Sequence, residues 1–333
     1  MHWIIFLIST ILIIASGVRL TKYADLLSDR LQLGKLWLGI VLLGFVTSLP
    51  EAITSFISVG YLGAGDLALG NIFGSNIFNP ILVVLMDMVY QKGSVTNVIK
   101  PLKSHQISVF YIVVMTFLIL YDMLFLAHGR GILIGRLSLG VLAVSLIYII
   151  GMRHLGVANK QEHLEDPLEA YELDLHQGLG RIWANIIGSA AVVVFASFWL
   201  TRAAETIAHT TGLGETFVGS FLLALVTSLP EMVVTYSAIK IGVFDLALGN
   251  IFGSNMTNLF ILSLCPLFYT GGVLFANVSL THVITAVLSV LICYGLWLGI
   301  QIKNKKTWCK IGVDAWVLAG VFMVGMVLVY SLK

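Results

Sequence analysis

The chain has 333 residues, 58% of them hydrophobic and only 11% charged, with a mean hydropathy of +0.97. That much apolar surface cannot be hidden in a water-exposed globule of this size, so the composition excludes a soluble protein and implies one embedded in a membrane. The net charge of +2 is uninformative by itself, whereas its distribution along the chain orients the protein.

Ten apolar stretches have the length that a hydrocarbon core of about 30 Å requires of a helix. They run at about 3–20, 36–59, 66–89, 106–124, 131–151, 182–202, 215–239, 244–268, 280–302 and 311–331. None alternates in polarity as a barrel strand would, so the expected class is an all-α polytopic membrane protein. The first stretch has neither the basic flank nor the cleavage site of a signal peptide. With the N-terminus outside, fifteen lysines and arginines fall on the inner side and only Arg130, Arg136, Arg202 and Lys333 on the outer side. By the positive-inside rule, both termini are then extracytoplasmic.

The polar segment Arg153–Arg181 reads as a solvated cytoplasmic linker, and it divides a repeat. "VTSLPE" occurs at Val46–Glu51 and again at Val226–Glu231; "DLALGNIFGSN" occurs at Asp66–Asn76 and again at Asp245–Asn255. "LTKYAD" at Leu20 is echoed by "LTRAAE" at Leu200. The expected organisation is a five-helix repeat over 1–152, the linker over 153–181, and a second five-helix repeat over 182–333. Five crossings per repeat is an odd number, which inverts the second copy. Inverted repeats with interrupted helices, here spans 2, 3, 7 and 8, are the architecture of secondary transporters, whose sites lie where the repeats meet at the midplane.

The repeated phrases carry the candidate chemistry. Pro50 has no amide hydrogen, so the carbonyl of Val46 loses its helical donor and the turn opens. Helical spacing sets Thr47 and Ser48 on one face with Glu51, and Thr227 and Ser228 on one face with Glu231. A charge at the bilayer centre costs at least about 2.5–3.5 kcal/mol, and such residues mark ion or proton paths. No lysine or arginine lies within the neighbouring apolar sequence, so the natural counter-charge is a dissolved cation. The "GNIFGSN" segments add Ser75 with Asn79 and Ser254 with Asn258, four residues apart, while Gly70–Gly74 and Gly249–Gly253 serve helix packing, ion binding or both. Hard oxygen ligands favour calcium, magnesium or sodium over zinc or copper, and two carboxylates balance one divalent ion. Asp66 and Asp245, at helix starts, are read first as N-terminal caps. Cys265, Cys293 and Cys309 show no metal-site or disulfide spacing.

The paired "TSLPE" and "GNIFGSN" segments resemble the α1 and α2 repeats of the calcium/cation antiporter superfamily, in particular its sodium/calcium exchanger branch. The resemblance spans both halves and implies a secondary transporter, not an enzyme, with calcium and sodium as transported ions and no cofactor. It implies a calcium site of Glu51 and Glu231 with the backbone carbonyls of Thr47 and Thr227. The overlapping sodium ligands would be Ser48, Ser228, Ser75, Ser254, Asn79 and Asn258, plus the carbonyls of Gly44 and Ala224. Spans 1 and 6 resemble the long tilted pair that slides past the core. Some relatives carry aspartate where this chain has Asn258, which makes potassium dependence unexpected. The lipid bilayer of the cell membrane is the expected setting, with no nucleic-acid partner and no evident obligate protein partner. Two alternatives compete. One is a proton-coupled calcium exchanger; the other is an intramembrane aspartyl protease, from "GAGD" at Gly63–Asp66 and the Tyr121–Asp122 pair, although the repeat turns "GAGD" into "GVFD" at Gly242–Asp245.

Overall fold

The computed structural model describes residues 2–31, 44–162, 178–240, 242 and 244–332. Most of them are helical. In chain order the main helices are α1 (His2–Leu31), α2 (Leu49–Ile57), α3 (Gly65–Tyr90), α4 (Lys103–Ala127), α5 (Leu139–Glu162) and α6 (Leu179–Thr211). They are followed by α7 (Glu215–Thr227), α8 (Leu229–Lys240), α9 (Phe244–Phe268), α10 (His282–Ile302) and α11 (Val313–Ser331).

Among the described residues eight helices are long and apolar enough to cross a membrane, and α7 with α8 make a ninth that bends by 45° at Ser228. The expected span at 36–59 begins in residues outside the description, as does most of the expected linker over 153–181. One expectation needs correction. Spans 3 and 8 are not interrupted: α3 and α9 run unbroken through both "GNIFGSN" segments, whereas at the "TSLPE" segments Ser48 and Ser228 leave helical geometry just before the proline. In α3 the helix survives a proline because the lost hydrogen bond is replaced from another helix. Pro80 denies the carbonyl of Asn76 its helical donor, and the side-chain amide of Asn255 supplies one at 3.0 Å. Short antiparallel hairpins, β1–β2 (Leu133–Ile134, Leu137–Ser138) and β3–β4 (Thr307–Trp308, Ile311–Gly312), join α4 to α5 and α10 to α11 within this all-α architecture.

Two packing regions follow. The main core gathers α3, α4, α9, α10 and α11 around residues such as Phe73, Ile112, Phe252 and Ile292, all fully buried. A second region packs α1 antiparallel along α6: Phe6 and Ile13 lie with Ala196–Ala208, and Leu26 and Leu27 lie with Ile182 at the other end. At 1.5 Å per residue, helices of 30 and 33 residues exceed the hydrocarbon thickness, so this pair tilts or projects beyond it. The GxxxG of α3 is a close-approach surface. A Cβ at Gly70 would lie 2.9 Å from the Cα of Gly219, and one at Gly74 would lie 2.4 Å from the carbonyl oxygen of Ser220, both on α7.

Candidate functional site

The two "TSLPE" bends and the two "GNIFGSN" segments meet in one buried polar centre. Thr47, Ser48, Glu51, Ser75, Asn79, Thr227, Ser228, Glu231, Ser254 and Asn258 are all inaccessible to solvent. Each bend reaches across to the other. Ser48 donates to Oε1 of Glu231 at 3.2 Å, and Ser228 donates to Oε1 of Glu51 at 3.2 Å. Ser75 adds a second donor to Glu51 Oε1 at 3.3 Å and touches the hydroxyl of Thr227 at 3.5 Å. In the mirrored position the hydroxyls of Thr47 and Ser254 lie 3.4 Å apart.

Two asparagines that the sequence reading left outside the site hold the bends in place. Asn71 donates to the backbone carbonyl of Glu51 at 3.3 Å and to Ser55 at 3.1 Å, and its own oxygen accepts from Thr227 at 3.0 Å. Asn250 does the same for the carbonyl of Glu231, at 3.1 Å, and for Thr235. The signal that could have found them was their letter-for-letter repetition within an apolar helix. The carbonyls of Gly44 and Ala224 accept from Ser48 and Ser228 backbone amides at 3.2 and 3.0 Å, and from the Thr47 and Thr227 hydroxyls, so these oxygens already serve the helix turn before each bend.

A second asparagine set fixes the direction of two amide oxygens. Asn76 and Asn255 donate to one another's backbone carbonyls, at 3.1 and 3.0 Å. A carbonyl can only accept, so each of these side chains must turn its oxygen the other way. Those oxygens accept from Asn258 at 3.0 Å and from Asn79 at 2.9 Å. Asn79 and Asn258 therefore commit their NH2 groups to the network and keep their oxygens for the site, one helical turn beyond Ser75 and Ser254.

Among the buried oxygens that have no hydrogen-bond partner among the described residues are Glu51 Oε2, Glu231 Oε2, Asn79 Oδ1 and Asn258 Oδ1, with Asn250 Oδ1 beside them. Buried acceptors of this kind are rare, because each one left unsatisfied costs about 1–3 kcal/mol, and more when charged. No basic side chain forms an ion pair with either glutamate among the described residues. Two carboxylates and two amide oxygens, with hydroxyls behind them, form a set of hard donors fit for a sodium or calcium ion, and they include no thiolate or imidazole.

Asp66 is not a helix cap. Its carboxylate accepts from the backbone of Ser279 at 2.7 Å and pairs with His282 Nε2 at 3.2 Å, clasping the start of α3 to that of α10. Asp122 is held by Ser138 at the start of α5. The two aspartates of the protease alternative thus have separate partners and form no dyad.

The sodium/calcium exchanger protein family model matches residues 1–151 and 181–331. The sodium/calcium exchanger MaX1 of Methanosarcina acetivorans is 25% identical over 332 residues, covering 91% of this chain and 93% of that protein. Among solved structures, the sodium-calcium exchanger NCX_Mj superposes with a TM-score of 0.62 at 18% identity, covering 98% of this chain and 97% of that one. The H+/Ca2+ exchanger CAX superposes with a TM-score of 0.66 at 10% identity, covering 99% and 88%. These last two likenesses are of fold.

Proposed function

We propose that this chain, which belongs to the sodium/calcium exchanger protein family, couples sodium entry to calcium export at the buried centre built around Glu51 and Glu231. Family membership makes it an integral membrane transporter that moves ions as substrates without a cofactor, and not an enzyme. The observation that carries the finer reading is the cluster of unpartnered oxygens on Glu51, Glu231, Asn79 and Asn258, two of them on carboxylates that form no ion pair with a basic side chain among the described residues.

In this reading Glu51 and Glu231 neutralise one calcium ion, helped by the carbonyls of Thr47 and Thr227. Sodium ions occupy overlapping positions on Ser48, Ser228, Ser75, Ser254, Asn79 and Asn258 and on the carbonyls of Gly44 and Ala224. Two carboxylates in a dry, empty site repel each other and lack solvation, so passage between the two open states without an ion is disfavoured. Exchange, as opposed to leakage, follows from that penalty. Should more than two sodium ions replace each calcium, the cycle carries charge, and the membrane potential contributes about 2.3 kcal/mol per charge per 100 mV. The arrangement belongs to ten spans in two inverted repeats, 1–152 and 182–333, joined by a cytoplasmic linker over 153–181. Reciprocal bonding between the motif copies supports that symmetry, and charge distribution supports a cell-membrane protein with both termini outside.

The test is radioactive calcium uptake into proteoliposomes driven by an outward sodium gradient. Uptake is expected from the sodium gradient and not from a pH gradient, and Glu51→Gln and Glu231→Gln abolish it while the purified variants stay monodisperse. Uptake driven by the pH gradient alone would assign proton coupling instead; undiminished sodium-driven uptake in both variants would remove the site.

A further inference from the structure

A cleft of about 210 Å³ opens between α1 and α6, away from the ion site. Its lining includes Ser16 and Arg19 from α1 and Asn185, Gly188 and Ser189 from α6. Arg19 stands one residue before the end of the apolar span His2–Leu20, and Arg181 lies one turn before Asn185 near the start of α6. The antiparallel pair therefore brings two basic side chains to the same edge of the membrane, where Lys22 is also exposed. Arg19 is exposed into this space and forms no ion pair among the described residues. At Gly188 a Cβ would meet nothing within 4 Å, so the α6 wall is open there. Ser16 and Ser189 are buried residues of its lining.

We infer that this cleft binds the phosphate of an anionic phospholipid headgroup. A guanidinium grips phosphate oxygens through paired N–H donors, and basic pockets between helices at the charged edge of a membrane suit such lipids. The depth agrees, since the cleft begins where the apolar span ends and reaches inward to Val192, along which an acyl chain can lie.

The site also touches the transport machinery. Gly17, between the two α1 lining residues, packs so closely on α8 that a Cβ there would lie 2.7 Å from Cγ of Pro230, the residue before Glu231. A headgroup seated between α1 and α6 therefore fixes how α1 sits against the bend that carries one of the two carboxylates. That effect on exchange rests on the function proposed above; the binding itself does not.

The test has two readouts on the full-length protein. Native mass spectrometry after equilibration in mixed phosphatidylcholine and phosphatidylglycerol reports retained anionic lipid directly. Arg19→Gln is expected to lower retention of one phosphatidylglycerol about tenfold, a loss of the charge-assisted pair. Gly188→Leu is expected to do the same by filling the cleft with its charge intact, and Arg136→Gln, at the opposite edge, to change nothing. Millimolar inorganic phosphate that displaces the lipid would assign the cleft to free phosphate and overturn the lipid reading. In proteoliposomes, adding phosphatidylglycerol to phosphatidylcholine is expected to speed sodium-driven calcium uptake several-fold in the native protein and in neither cleft variant. Retention unchanged in both cleft variants overturns the inference. Absent flux in every lipid would strike the transport proposal alone, because retention would still be read.

Discussion

Replacing Asn255 should destabilise the protein more than replacing its counterpart Asn76, although the two occupy matching places in identical eleven-residue segments. Each donates to the other's backbone carbonyl, but the two carbonyls are in different circumstances. The carbonyl of Asn255 retains its helical donor, the amide of Leu259, four residues on in the continuous α9. The carbonyl of Asn76 has none, because residue 80 is proline. Asn255→Ala thus strands a buried carbonyl and the NH2 of Asn79, whereas Asn76→Ala strands only the NH2 of Asn258. With each unsatisfied buried group worth about 1–3 kcal/mol, the difference between the variants is about 1–3 kcal/mol. Restoring an amide donor by Pro80→Ala should recover that difference in the Asn255→Ala background and not in the Asn76→Ala background. Thermal unfolding of the purified proteins in detergent, read as a double-mutant cycle, measures it. Equal losses for the two single variants, with no coupling to position 80, would refute the account of why α3 stays straight.

Two further outcomes follow from the same geometry. Ser48→Ala and Ser228→Ala each remove a hydroxyl donor to the opposite glutamate at 3.2 Å; a hydrogen bond to a charged group is worth about 1.5–3 kcal/mol, so the calcium concentration for half-maximal uptake should change by at least tenfold in Ser48→Ala, and in the same direction but by less in Ser228→Ala, where Ser75 still donates to Glu51. A change in only one of them would show that the cross-bonding is not reciprocal in its effect. Gly74→Leu drives a side chain into the Ser220 carbonyl and the Ala224 methyl; it should lower the unfolding temperature sharply or prevent recovery of folded protein, while leucine at Gly180, which meets nothing within 4 Å, should leave that temperature within error.

The helices and their buried carboxylates were legible because both signals are strong in one dimension. Long apolar runs announce the spans, and an acid repeated inside them has no bland explanation. What stayed hidden depended on the third dimension. Pro50 and Pro80 look alike as sequence, yet the first sits at a true break and the second in an unbroken helix, since only the fold reveals that Asn255 replaces the missing donor. Asn71 and Asn250 were passed over because their partners are backbone carbonyls about twenty residues away on another helix, which no spacing rule connects. Asp66 was misread as a cap because its partners, Ser279 and His282, lie more than two hundred residues along the chain.

The bonding pattern also explains why the phrases are duplicated at all. Each glutamate takes its nearest cross-helix donor from the other repeat, and each amide oxygen kept for the site is oriented by an asparagine of the other repeat. Neither half alone could hold its acid or aim its amide. A cation at the centre would therefore be gripped from both sides, and any movement that shifts one repeat relative to the other must strain the two serine bonds together. A site built this way resists opening until the charge between its carboxylates changes, which is the property that an exchanger, unlike a channel, requires.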